Sequence, residues 1–227
     1  MVGKVFLVCG FLVVLTGCAC NTEPVPEIVY DYNLNRRVVE PVVVKPSGTK
    51  TADVADVIKD IPREWFPPSR LEDRGRWRGI IIHHSGVYYG CASHEHKYHK
   101  SLGWDGLGYH FVINNGVFKN GYGKADGVVE VGYRWREQKT GSHCRPSADS
   151  SNYWNKHTIG ICLIGNFNET RPSERQWRSL VKLVRFLQKR YEIPTSQIKG
   201  HRDVKPTDCP GKYFSFEELR RRLARFE

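Results

Sequence analysis

The 227-residue chain contains no apolar run long enough to cross a membrane. The longest, VFLVCGFLVV near the N-terminus, covers roughly ten residues where a spanning helix needs about 20. Acidic groups are also scarce: 24 Asp and Glu stand against 35 Lys and Arg, a formal charge of +11. Such a surface favours a polyanionic partner, and nucleic acid, anionic lipid and a carboxylate-rich cell wall all qualify. The chain has no recognised nucleic-acid-binding motif, which argues against the first of these. It has no HExxH, so a zinc protease with its ligands and base on one helix is excluded. Paired CxxC motifs are missing too, and no internal repeat is evident.

What is present begins with the N-terminus. A short basic start, MVGK, precedes the apolar run, and LTGC follows it. This is the layout of a secretory signal. Leu15-Thr16-Gly17-Cys18 resembles a bacterial lipobox. Residues 1–17 are therefore expected to be a lipoprotein signal peptide, with Cys18 lipidated by groups such as palmitate. Ala19 after that cysteine, rather than Asp, favours outer-membrane sorting in a Gram-negative host. Residues 18–70 read as a Pro- and Val-rich tether. A flexible chain of about 50 residues spans roughly 40 Å root-mean-square. Within it, ADVADVIKDI can form a short helical turn.

Export permits disulfides. Cys91 and Cys144 both lie in loop-like contexts and could pair, although spacing does not establish connectivity. Cys162, inside TIGICLIG, reads as a small buried hydrophobe.

The compact domain is expected over 71–227, with strands and helices interleaved, which indicates an α/β fold. RGIIIHH (78–84) and HTIGICLIG (157–165) read as buried strands. SHEHKYHKSLG (93–103) reads as a helix closed by glycine, with His94 and His96 on its exposed side. GYHFVI, a turn at NNG, and VFKNG read as a hairpin. PSERQWRSLVKLVRFLQKRYEIP is the clearest helix, with Ser173 and Gln176 forming a capping box and Pro194 beyond its end. SFEELRRRLARF is a final amphipathic helix.

The chemistry concentrates in two places. His83 and His84 end an apolar strand, and His201 and Cys209 flank a Pro-containing loop in IKGHRDVKPTDCPG. Imidazole and thiolate are good zinc ligands, and catalytic zinc uses three protein ligands with the fourth position open. Spacing alone leaves open whether His83 or His84 contributes. With nine histidines in the chain, chance pairs of His and Cys also remain possible.

Taken together, IIIHHS, GWDGLGYHFVI, GSH, TIGICLIGNF and GHRDVKPTDCPG resemble, in order and separation, the zinc-dependent N-acetylmuramoyl-L-alanine amidases that include peptidoglycan recognition proteins and amidase-type phage lysozymes. The resemblance covers about residues 77–213. It implies a mixed central β-sheet flanked by helices, with a substrate groove over a zinc ion. It implies His83, His201 and Cys209 as zinc ligands and Tyr109 as a catalytic residue. Thr207 falls where some phage enzymes carry a functional lysine and catalytic recognition proteins a threonine. His143, Asn155 and Trp104 fall among groove positions that bind substrate, although Trp104 with His99 also reads as packing of a helix-to-strand corner. Strand alternation turns His84 away from His83. Cys162 stands where some amidases of this superfamily carry a glutamate, so no conventional carboxylate base is visible.

The implied reaction is hydrolysis of the amide between N-acetylmuramic acid and L-alanine by zinc-activated water. The implied partners are peptidoglycan stems and, through lipid on Cys18, a membrane. A monomer at a bacterial membrane facing the periplasm or cell wall is the expected setting. The alternative is a non-catalytic peptidoglycan-binding protein on the same fold. Such relatives commonly lack the ligand cysteine, and this chain keeps it.

Overall fold

A computed structural model describes residues 61–144 and 151–225. The expected signal peptide, Cys18 and most of the tether lie outside the described residues. Among the described residues, no helix is long and apolar enough to cross a membrane.

Five strands form one mixed sheet in the order β3-β2-β4-β1-β5. They are β1 (Gly79–His84), β2 (Phe111–Ile113), β3 (Val129–Val131), β4 (Thr158–Leu163) and β5 (Ile198–Gly200). β1 pairs in parallel with β4 and β5, and β2 pairs in parallel with β4. Only β3 is antiparallel, against β2. Parallel strands covered on both faces read as continuous apolar runs. GIIIHH and TIGICL are such runs, and all but His84 is buried.

Among the described residues, five α-helices accompany the sheet: α1 (Ala92–Ser101), α2 (Tyr133–Arg136), α3 (Tyr153–His157), α4 (Glu174–Tyr191) and α5 (Phe216–Ala224). α4 starts at the expected capping box: Ser173 Oγ accepts from Gln176 N, and Gln176 Oε1 accepts from Ser173 N. Its buried stripe of Trp177, Leu180, Val181, Val184 and Leu187 packs in one large core with Ile80, Ile82, Ile159, Ile161 and Leu163. α5 closes that core with Leu219 and Leu223. The opposite sheet face has a far smaller apolar cluster of Leu107, Val112, Cys162 and Ile164.

The core also reaches back beyond residue 71, where the compact domain was expected to begin. Trp65 is buried in the large cluster, and its carbonyl accepts from Trp135 Nε1 at 2.9 Å.

The expected hairpin needs correction. β2 pairs with Val129–Val131, not with the VFKNG segment, which makes only an isolated Lys119–Tyr122 bridge. The backbone explains this. Gly116, Asn120, Gly121 and Gly123 all take positive φ, which breaks a strand, and the chain returns only when Asn114 N donates to Val128 O. The histidines of α1 are also less exposed than expected. His96 Nδ1 accepts from Leu107 N, and the His94 ring lies against Tyr89 and Tyr122. Nor are Cys91 and Cys144 bonded to each other: both are buried free thiols, held near Ser93 and His143 respectively.

Candidate metal centre

His83 is the fifth residue of β1, and His201 directly follows β5. Both therefore sit at the carboxyl ends of adjacent parallel strands, where open α/β sheets bind ligands. Cys209 comes from the loop after β5. Gly211, two residues further on, has φ +101, and a Cβ there would lie 2.3 Å from the Phe167 carbonyl carbon. Glycine is thus required for the loop to lie against the segment after β4 and bring Cys209 inward. One potential donor atom from each of His83, His201 and Cys209 falls within 4.8 Å of the others. Cys209 Sγ is 3.7 Å from His83 Nδ1 and 3.4 Å from the His84 N–H, which donates to it.

Strand alternation separates the two adjacent histidines as expected. The His84 imidazole turns to the other face, where its Nδ1 accepts from Phe167 N at 3.0 Å. Burial, then the Arg202 charge, lowers its pKa to about 4.

His83 is held by a chain of hydrogen bonds. His143 Nε2 lies 3.2 Å from Thr158 O, so it carries the proton and donates. His143 Nδ1 is then an acceptor, and His83 Nε2 donates to it at 3.1 Å. That assignment leaves the lone pair of His83 on Nδ1, on the side of Cys209. The His143 ring lies flat on Gly160, where a Cβ would come within 2.5 Å of His143 Cδ2. Asn155 completes the support: its Oδ1 accepts from the backbone N–H of both His143 and Cys144 at 2.9 and 2.8 Å.

The electrostatics favour neutral ligands. Burial pushes His83 well below its ordinary value, with His143 and His201 adding to the effect. Burial, then Lys205, lowers His201 to about 4. Burial raises Cys209 to about 12, against the opposing pull of the His84 N–H. A thiolate here needs a cation beside it.

The remaining expected residues divide. Tyr109 comes in next to the donors, its ring centroid 5.1 Å from that of His83. Burial, then the neighbouring Cys162 and Cys209, raises its pKa well above the usual phenol range, so it remains a hydrogen-bond donor. Trp104 stacks on His99 at 4.5 Å and 23°, which is the packed corner, yet it is 40% exposed and leaves one face open. Buried Arg134 ties this loop down by donating to Leu107 O, Thr140 O and Asp105. Thr207 is exposed, and its Oγ1 accepts from Cys209 N at 3.3 Å. His143 and Asn155 are buried, at 5% and 4% exposure, and their polar atoms are engaged inside the protein. The structure thus gives them a supporting place rather than a place on an open groove wall. A cleft of about 580 Å³ between α1 and β3 includes none of the donors among its lining residues.

One residue escaped sequence reasoning, and another, Cys144, was read only as a possible disulfide partner. Glu95 is a carboxylate buried on α1, paired only with His94 Nδ1 at 3.1 Å among the described residues. Cys144 packs against His143. The available signal for Cys144 was its adjacency to the GSH motif.

One atom tests whether a metal suits this place. His201 Nε2 is buried and has no hydrogen-bond partner among the described residues. An unsatisfied buried imidazole nitrogen costs about 1–3 kcal/mol unless something accepts its lone pair. Two neutral imidazoles and a thiol, with no carboxylate among them, match a zinc donor set.

Fold and site together define an open mixed α/β sheet with a His/His/Cys donor set beyond its parallel strand ends. Residues 73–212 match the family profile described as Amidase_2, N-acetylmuramoyl-L-alanine amidase. The chain belongs to that family. Peptidoglycan recognition protein 1 of Mus musculus is 34% identical over 127 residues, 53% of this chain and 57% of that protein. The endolysin of Enterobacteria phage T3 is 33% identical over 119 residues, 50% of this chain and 65% of the endolysin. Both alignments cover less than two thirds of the relative. Among solved structures, the endolysin N-acetylmuramoyl-L-alanine amidase LysCS from Clostridium intestinale URNW superposes with a TM-score of 0.55 at 32% identity, covering 66% of this chain and 86% of that one. The central mixed sheet flanked by helices is therefore the amidase fold, as expected.

Proposed function

We propose that the protein is a zinc-dependent amidase that cleaves the bond between N-acetylmuramic acid and L-alanine in peptidoglycan. One observation carries the reading: His83, His201 and Cys209 converge, with His201 Nε2 buried and unpartnered among the described residues. His83 Nδ1, His201 Nε2 and Cys209 Sγ would hold the ion. Bound there, zinc supplies Lewis acidity, polarising a carbonyl and making water ionisable near neutral pH.

The chain's own residues do the rest. His143 holds the proton on His83 Nε2 and so keeps the Nδ1 lone pair available. Tyr109, kept protonated by burial, donates its O–H to the carbonyl oxygen as negative charge develops there. Thr207 shapes the turn that presents Cys209 by accepting from its N–H, and its exposed hydroxyl assists departure of the amine. The open face of Trp104 forms a wall for the substrate, with Asn155 anchoring the segment beneath. The excess of basic residues suits the carboxylates of peptide stems. The lipobox-like LTGC supports export and anchoring through Cys18 at a bacterial membrane, with the domain acting as a monomer on the wall beside it.

Purified protein incubated with muropeptides tests this. Mass spectrometry should find peptides that begin with L-alanine, and a chelator should abolish them. Intact muropeptides that nevertheless bind tightly would establish the alternative, a recognition protein without turnover.

A further inference from the structure

The His83 imidazole has a second set of donors on its other side. Its Nε2 lies 3.1 Å from His143 Nδ1, and Cys144 Sγ lies 3.3 Å from that same nitrogen. All three residues are buried, and one donor atom from each falls within 4.8 Å of the others. Tetrahedral bonds of ordinary zinc-like length would set two nitrogens about 3.3 Å apart and a nitrogen and sulfur about 3.6 Å apart. The two spacings to His143 Nδ1 fall a few tenths of an ångström short, so a small opening about that nitrogen suffices for them. Asn155 fixes the backbone of both His143 and Cys144 and keeps these donors in place in advance.

We propose that His83 Nε2, His143 Nδ1 and Cys144 Sγ form a second metal site, selective for a thiophilic monovalent cation such as cuprous ion, which competes with the first site for His83. Charge selects the valence. One thiolate neutralises a monovalent cation, whereas a divalent cation would leave a net charge in a fully buried pocket, which is costly. Donor softness is compatible with this, since thiolate and imidazole suit Cu(I) as well as zinc, and it is the full burial that separates the two sites.

The proton balance gives the competition. The cation takes the place of the Cys144 thiol proton, which leaves to solvent. It also takes the Nε2 lone pair of His83, so the proton now on Nε2 moves to Nδ1. His143 keeps its Nε2–H on Thr158 O. With Nδ1 protonated, His83 has no lone pair left for the site shared with His201 and Cys209. Each imidazole serves one site at a time, and filling the second empties the first.

The test uses full-length protein and reads metal, not turnover, so it stands or falls separately from the amidase reading. Metal-free Cys209→Ser protein is titrated anaerobically with Cu(I) against a chromophoric Cu(I) chelator. It should retain one equivalent that is lost, with affinity at least tenfold weaker, when Cys144→Ser is added. X-ray absorption should show two nitrogens and one sulfur. In the zinc-loaded wild type, Cu(I) should release zinc, and Cys144→Ser should keep its zinc at the same Cu(I) concentration. Cys144→Ala, checked by circular dichroism, guards against a folding artefact. Equal Cu(I) affinity with and without Cys144 in the Cys209→Ser background would overturn the proposal. So would zinc release unaffected by Cys144→Ser, because Cu(I) would then simply be taking the first site.

Discussion

The two faces of the sheet are built for opposite purposes. Under α4 and α5, twenty-four buried apolar residues form one continuous core. Under α1, four such residues share the face with His83, His99, His110 and His143, all buried. Burying imidazoles is unfavourable unless each nitrogen finds a partner. Most do: Gly108 N donates to His99 Nδ1, and Gly160 N donates to His110 Nδ1. The difference teaches that stability resides mainly on one face, which frees the other to hold polar groups in fixed, strained-for-water positions. Among the described residues, the His201 nitrogen without a partner is then the exception, and it belongs to the proposed metal site.

Removing a donor breaks the polar face most severely. Cys209→Ala should lose stoichiometric zinc and reduce muropeptide cleavage to background, measured by metal analysis and mass spectrometry, with the fold retained. The apolar face should respond in the reverse sense. Leu180, fully buried in the large core, should cost about 2–5 kcal/mol in denaturant unfolding as Leu180→Ala, with metal content per folded molecule unchanged. If Leu180→Ala altered zinc affinity as much as stability, the two faces would not be separable.

Finer tests stay within the polar face. Tyr109→Phe keeps the ring and removes the donor, so zinc should remain while kcat falls about 10²–10³-fold. His143→Ala should weaken zinc about 10–100-fold in a chelator competition, because the proton on His83 Nε2 loses its acceptor. The smallest effect is in pH. Burial, then Arg134, lowers His99 to about 4 from an ordinary 6.5. Between those values the unfolded chain binds a proton that the folded chain does not. The His99 contribution is therefore complete above pH 6.5 and is lost as pH falls through the window toward 4. Denaturant midpoints of metal-free protein at pH 7.5 and 5 should show the decline, to which His83, His84, His143 and His201 contribute with the same sign, and His99→Gln should lessen it by the share of one histidine.

Much of this was legible from residues. The capping box at Ser173, the stripe from Trp177 to Leu187 and the buried run at 79–84 all depend on local periodicity, and all three appear in the fold. Periodicity said nothing useful about residues 115–128, where glycines and Asn120 at positive φ carry the chain out of the sheet before β3 pairs. His143 illustrates the other limit. Its motif marked it as part of the site, yet nothing local showed that Gly160, on a different strand, leaves the space in which its ring lies.

The sequence by itself determined the chemical inventory and the elements. Neutral-ligand residue types, apolar strand runs and a helix cap are short-range properties, expressed within a few residues of backbone. Only the tertiary structure decided which nitrogen of His83 faces Cys209, that His143 and Asn155 lie beneath the site, and that Cys144 shares a histidine with the first donor set. The physical reason is that donors at 83, 143 and 209 meet through parallel pairing and loop closure across more than a hundred residues. At that range, side-chain direction is set by what packs against each face of the sheet.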